Sequence, residues 1–155
     1  VGSFADVANF MRTGTVMSSA RNQYRGVVRR VTPGAVNAEI AVEISGSIEL
    51  NVIVTEESRK QMGLAPGVVV IALVQASSVV LSPTLDIAVS ARNRLRGTVA
   101  RITRGAVNSD VVVDLGEGKS ISAIITNPSL EELALREGDP VCAFFKASSV
   151  ILLGE

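Results

Sequence analysis

Apolar residues in this chain come in short stretches, many of them alternating with polar residues at every second position, with turn-forming residues between them. That pattern reads as strands. Residues 24–32 form the first, ended by the turn pair Pro33-Gly34. Across 38–44, Ile40, Val42 and Ile44 face one way and Glu39, Ala41 and Glu43 the other, the period of a half-buried strand. Ser45-Gly46 turns the chain, and Ile48, Leu50 and Val52 line one face of a third strand. Alternation is lost over 55–62, which reads as about two helical turns. Pro66-Gly67 precedes the continuous apolar run 68–74, and residues 79–81 are expected to close the module as a fifth strand.

The same order of elements then occurs again. Ser19-Ala20-Arg21-Asn22 returns as Ser90-Ala91-Arg92-Asn93, a shift of 71 residues. At that shift Arg25-Gly26 meets Arg96-Gly97, and Gly34-Ala35-Val36-Asn37 meets Gly105-Ala106-Val107-Asn108. Thr55 and Ser58 meet Thr126 and Ser129, and Ala76-Ser77-Ser78-Val79 meets Ala147-Ser148-Ser149-Val150. No gap is needed, and roughly 26 of 63 aligned pairs are identical, a period suited to a duplicated small domain.

The expected architecture is therefore mainly β: two tandem OB-fold-like five-stranded barrels, each with one short helix. Closure into barrels removes exposed sheet edges. Residues 19–83 form the first domain, 84–89 a link and 90–155 the second domain. Residues 1–18 stand outside the repeat. Ser3 can cap a short helix in which Phe4, Val7, Phe10 and Met11 recur near helical spacing. A start at Val1 instead of Met suggests a processed product or a piece of something longer.

Composition narrows the chemistry. Apolar residues make up 47% of the chain, enough for a true core. Fifteen basic residues balance fifteen acidic ones, which argues against a sequence-independent nucleic-acid binder. With no histidine and only Cys142, a structural zinc site is excluded and so is the commonest general base. Cys142 lies in an apolar run and reads as an inert buried thiol. No secretory signal and no apolar run of about 18 residues is present, so the expectation is a cytoplasmic protein with no membrane partner. Phosphate-loop and nucleophile-elbow motifs are missing, and an enzyme is not expected. The acidic pairs Glu56-Glu57 and Glu131-Glu132 are expected in the first turn or two of the short helices, where the helix dipole favours them.

Three repeated elements seek anions instead. Ser19 with Arg21, and Ser90 with Arg92, present a hydroxyl and a permanent guanidinium on one side of an extended segment; the plain alternative is a strand salt bridge. Thr55 with Ser58, and Thr126 with Ser129, set two hydroxyls beside the open N–H groups of a helix start; the alternative is ordinary N-capping. Lys146 before Ala147 offers a point charge where the first copy has Gln75 before Ala76; the alternative is a solvated edge lysine.

These motifs, in this order and twice over, resemble the Mop or molbindin domain, a TOBE-like module, over nearly all of residues 19–152. The resemblance implies OB-like barrels that bind molybdate or tungstate between subunits of a homo-oligomer, a dimer or trimer, with the metal held as an oxyanion and no direct protein–metal ligand. No other cofactor is implied. It assigns Ser19, Arg21 and Ala76 to one wall of a site, faced by Thr55 and Ser58 of a neighbouring subunit. Ser90, Arg92, Lys146 and Ala147 form the matching wall, facing Thr126 and Ser129. Gln75 departs from the family's lysine, which is expected to weaken the first-copy site.

Two roles fit that chemistry: the ligand-sensing half of a ModE-type transcription regulator, and a free-standing molbindin for storage. Residues 4–17 resemble the tail of a preceding domain, which favours the sensor. DNA would then be met only through a DNA-binding domain absent from this chain. An oligonucleotide-binding OB-fold is a distant alternative, disfavoured by a single tyrosine and no tryptophan. The accessory domain of a transporter ATPase would need a nucleotide domain that this chain lacks.

Overall fold

The computed structural model describes residues 22–154. The N-terminal segment 1–18, Ser19 and Arg21 lie outside the described residues.

The described strands are β1 (Asn22–Thr32), β2 (Asn37–Glu43), β3 (Glu49–Thr55), β4 (Val69–Val74) and β5 (Val80–Ser82), then β6 (Asn93–Arg104), β7 (Asn108–Gly116), β8 (Lys119–Thr126), β9 (Pro140–Phe145) and β10 (Ile151–Leu153). Helix α1 (Glu56–Met62) follows β3 and α2 (Asn127–Leu133) follows β8. Short 3-10 turns, Ala76–Ser78 and Ala147–Ser149, precede β5 and β10. The expected five strands and one helix per repeat are all present, within a few residues of their expected bounds.

Their grouping differs from expectation in one respect. The antiparallel sheets run β10-β4-β1-β2-β3 and β5-β9-β6-β7-β8. Residues 79–81 do not close their own module; β5 pairs with β9, Leu81 opposite Ala143, and β10 returns to β4, Leu152 opposite Ala72. One compact unit accordingly contains the described residues up to Val74 plus 147–154, and the other spans Gln75–Lys146. The physical reason lies in the repeat. Val79-Val80-Leu81 and Val150-Ile151-Leu152 are nearly the same strand, so either barrel accepts either one. Leu81, Leu152 and Leu153 are all buried in their exchanged positions.

Each sheet curls because one long strand serves two partners. Strand β1 pairs with β4 over Asn22–Val27 and with β2 from Val27 onward, with a bulge between Val28 and Arg30. Strand β6 does the same with β9 and β7, bulging between Val99 and Arg101. Bulges add twist and bend the strand. The bend brings backbones so close that a Cβ on Gly26 would lie 2.6 Å from Val42 Cγ1, and one on Gly97 2.6 Å from Val113 Cγ1. That explains why the glycine of the Arg-Gly pair recurs. In the second unit the outer strands β5 and β8 lie against each other, and in each unit a 3-10 turn packs on the far edge, Ala147–Ser149 on β3 and Ala76–Ser78 on β8.

Inward-facing residues fill the barrels. Ile40, Val42, Leu50 and Val52 in the first, and Val99, Val111, Val113, Ile121 and Phe145 in the second, are almost without solvent contact. Burying an aliphatic side chain of this size stabilises by about 2 kcal/mol. Cys142 is buried as expected, and burial raises its thiol pKa, opposed by the nearby Arg94 and Arg96 charges. No helix among the described residues is long and apolar enough to cross a membrane.

Candidate functional site

Strand β3 ends where its alternation stops, and Thr55 caps the helix that follows. Its backbone is extended and its Oγ1 accepts the Ser58 N–H at 3.0 Å. The Thr55 hydroxyl in turn donates to Ser58 Oγ at 2.9 Å. In the second unit Thr126 repeats this, with Ser129 N–H at 3.2 Å and Ser129 Oγ at 2.8 Å. Because the threonine spends its hydrogen on the serine, the serine keeps a hydroxyl hydrogen to direct outward. Each pair is therefore a fixed donor as well as a cap.

A groove runs beside each pair. In the first unit it is about 330 Å³ and is bounded by Thr55, Ser58, Gln61 and Met62, with Val150, Ile151 and Leu152 opposite. The second, about 410 Å³, is bounded by Thr126, Ser129, Glu132 and Leu133, with Val79, Val80 and Leu81 opposite. The opposite wall is in each case the exchanged strand. Val80 and Ile151 remain 49% and 44% exposed along it, apolar surface that an isolated barrel leaves in water.

The helix starts are anchored differently. Glu56 accepts from the Gly34 N–H at 3.1 Å and from Arg59 Nη2 at 2.7 Å. The Arg59 hydrogen bond is the main reason its carboxyl lies below the usual range, and the Gly34 N–H adds to it. Its counterpart Asn127 is buried, donating to the Gly105 carbonyl at 2.9 Å and accepting from the Ser109 hydroxyl at 2.5 Å. In both units the backbone N–H at this position also bonds to the loop, Glu56 to Val36 and Asn127 to Val107. Those two valines are 73% and 71% exposed. Sequence reading passed over them as part of a motif, although an apolar residue repeated at a turn was the available signal.

Glu56 and Glu57 occupy the first turn of α1, as expected. Glu131 and Glu132 fall in the second turn of α2, whose first turn holds no acid, so the helix dipole does not account for them as it does for Glu56 and Glu57. Asn127 and Pro128 take those places and push the acids toward the helix end. Glu131 is neutralised there by Arg104 at 2.5 Å.

Ser90 and Arg92 are exposed, just ahead of β6. The β6–β9 register pairs Asn93 with Phe145, and one further step along it sets Arg92 opposite Lys146. The segment bearing Ser90 is held against β6 by the Arg96–Asp86 ion pair and by Arg94 Nη1 donating to the Ile87 carbonyl at 3.3 Å. Ala76 and Ala147 are buried in their turns. Within one chain, Ala147 shares a unit with Thr55 and Ser58, while Ala76 shares the other with Thr126, Ser129, Ser90 and Arg92. The expected facing of walls runs between chains. Ser19 and Arg21 lie outside the described residues.

Comparison with known proteins places these features in a family. The TOBE domain model matches residues 18–81 and again 89–152. The molybdenum-pterin-binding protein MopA of Rhodobacter capsulatus is 49% identical over 139 residues, 89% of this chain and 52% of MopA. The molybdenum transport protein ModE of Azotobacter vinelandii is 36% identical over 151 residues, 97% of this chain and 56% of ModE. The chain thus spans about half the length of these curated relatives. Among solved structures, the cytoplasmic molybdate-binding protein ModG with molybdate bound is 40% identical, with a TM-score of 0.84 over 88% of this chain and 98% of ModG. The relatives are binding, transport and regulatory proteins rather than enzymes. By two matches that take in both repeats, this chain belongs to the TOBE domain family, in its Mop-like form.

Proposed function

We propose that this chain binds molybdate or tungstate as an intact oxyanion at interfaces of a homo-oligomer, as the ligand-sensing part of a molybdate-responsive transcription regulator. The observation that carries the reading is the hydroxyl pair built twice at the same geometry, 2.9 Å in one unit and 2.8 Å in the other. A tetrahedral dianion has four acceptor oxygens and no donor, so it needs hydroxyls, N–H groups and a cation or two around it. Thr55 with Ser58 and Thr126 with Ser129 would supply hydroxyls. Ser19, Arg21 and Ala76 would supply the rest opposite Thr55 and Ser58, and Ser90, Arg92, Lys146 and Ala147 opposite Thr126 and Ser129, in each case from a second chain.

The size of the grooves supports a site completed by another subunit. Four oxygens occupy on the order of 100 Å³, allowing each a water's share of volume. A groove of about 330 Å³ has room for the anion and for apolar side chains covering Ile151 as well. Ligand binding then favours whichever assembly completes the site.

For the sensor role, the ModE of Azotobacter vinelandii is similar over 97% of the chain. A ModE of Escherichia coli, 32% identical, is a DNA-binding transcriptional regulator. The storage reading draws on ModG, nearly all of whose length this chain covers. Equilibrium dialysis against molybdate, with sulfate and single-stranded DNA as competitors, tests the chemistry. Saturable molybdate binding that sulfate displaces poorly and DNA not at all is expected; DNA binding without molybdate binding would refute it. Joining the chain to its upstream reading frame separates the roles: a winged-helix segment means sensor, a nearby start codon means storage.

A further inference from the structure

The two grooves match position for position under the 71-residue shift, with one change of charge. Thr55, Ser58, Val150 and Leu152 meet Thr126, Ser129, Val79 and Leu81, residues of the same kind in the same places. Gln61, however, meets Glu132. We propose that Glu132 is a specificity-determining residue of the second unit, an uncompensated carboxylate on the groove wall that lowers the affinity of its hydroxyl pair for dianions and so opposes the gain expected there from Lys146. This rests on the oxyanion reading above.

Three observations carry it. Glu132 lies one helical turn beyond Ser129, on the face of α2 that lines the groove. Among the described residues it forms no hydrogen bond or ion pair, whereas its neighbour Glu131 is held by Arg104 and, in the first unit, Glu56 by Arg59. Its place also has no stabilising explanation, because an acid near a helix C-terminus opposes the helix dipole. The surrounding charge leans the same way. Helix α1 carries two acids and two bases, Glu56, Glu57, Arg59 and Lys60, while α2 carries Glu131 and Glu132 and no base.

A unit charge and a dianion on the order of 8 Å apart in water-like surroundings differ in affinity by about fivefold from the uncharged case. Direct repulsion of this kind is screened by salt. Any purely structural effect of the side chain would not be.

The test uses the full chain with molybdate alone as the probe, in equilibrium dialysis at low and at high ionic strength. Glu132→Gln is expected to tighten one class of sites about fivefold at low salt, and Gln61→Glu to loosen the other class by a similar factor. Both effects should shrink at high salt, and Glu132→Asp should behave as the parent chain does. Saturable molybdate binding whose constants ignore Glu132→Gln, or shift equally at both salt concentrations, overturns the inference while leaving the functional reading intact. A parent chain that takes up no molybdate overturns the functional reading itself, and the inference with it.

Discussion

In the first unit the helix start is tied down by charge, Glu56 gathering the Gly34 N–H and the Arg59 guanidinium. In the second the same position is an amide, Asn127, sunk between the Ser109 hydroxyl and the Gly105 carbonyl. Two chemistries thus hold the Thr-x-x-Ser step in one geometry. The helix ends differ too: Gly63 takes the left-handed cap at φ 62°, whereas Ala134 takes it at φ 52° against its steric preference. What the copies share is the hydroxyl pair, the loop bond above it and the glycine under the strand bend; what they have let drift is how each is supported. The lesson is that the shared parts are set by geometry and the drifting parts by whichever local chemistry satisfies the same polar groups.

The strand bend should break most sharply. Gly97→Ala drives a Cβ into Val113 and the Asp114 carbonyl, and is expected to destabilise by about 3 kcal/mol in urea unfolding. Gly26→Ala, whose nearest backbone oxygen is 2.8 Å away, should cost less. Equal costs would mean that the two bends are equally tight, against the closer approach to backbone oxygen at Gly97 than at Gly26. Next comes the buried amide. Asn127→Ala strands the Ser109 hydroxyl and the Gly105 carbonyl and should cost about 2 kcal/mol by thermal unfolding.

Smaller again is the cap. Ala134→Gly should stabilise by about 1 kcal/mol and Gly63→Ala destabilise by about as much, opposite signs at equivalent positions, read from chemical unfolding midpoints. The smallest effect is also pH-dependent. Glu56 has its carboxyl held low in the folded state, first by Arg59 and then by the Gly34 N–H. Its stabilisation is therefore complete above the unfolded carboxylate pKa of about 4.3 and is lost as pH falls through the lower folded value. Glu56→Gln should lower the melting temperature slightly at pH 7 and not at all in strong acid. A gap that persists in acid would assign the effect to packing instead of charge.

Much of this was legible in the residues. Alternation at Ile40, Val42 and Ile44 and at Leu50 and Val52 fixed which faces are buried, because a half-covered strand has no other economical pattern. The Thr and Ser of each helix start were readable as a pair because three residues is the capping distance. The strand exchange was not readable, since the exchanged strands carry almost the same residues and their local pattern does not say which barrel each completes. The groove position of Glu132 was not readable for a related reason. Its position matters only once β5 stands across from α2, a juxtaposition that no local pattern encodes.

The central claim is that hydroxyl pairs on one wall and an arginine on the other close around one oxyanion. Crystals of the full chain soaked in tungstate, measured at the tungsten absorption edge, address it directly. The account predicts anomalous density within hydrogen-bonding reach of the Ser58 or Ser129 hydroxyl and of Arg21 or Arg92 from the adjoining chain. Strong density only at sites remote from both arginines would contradict it.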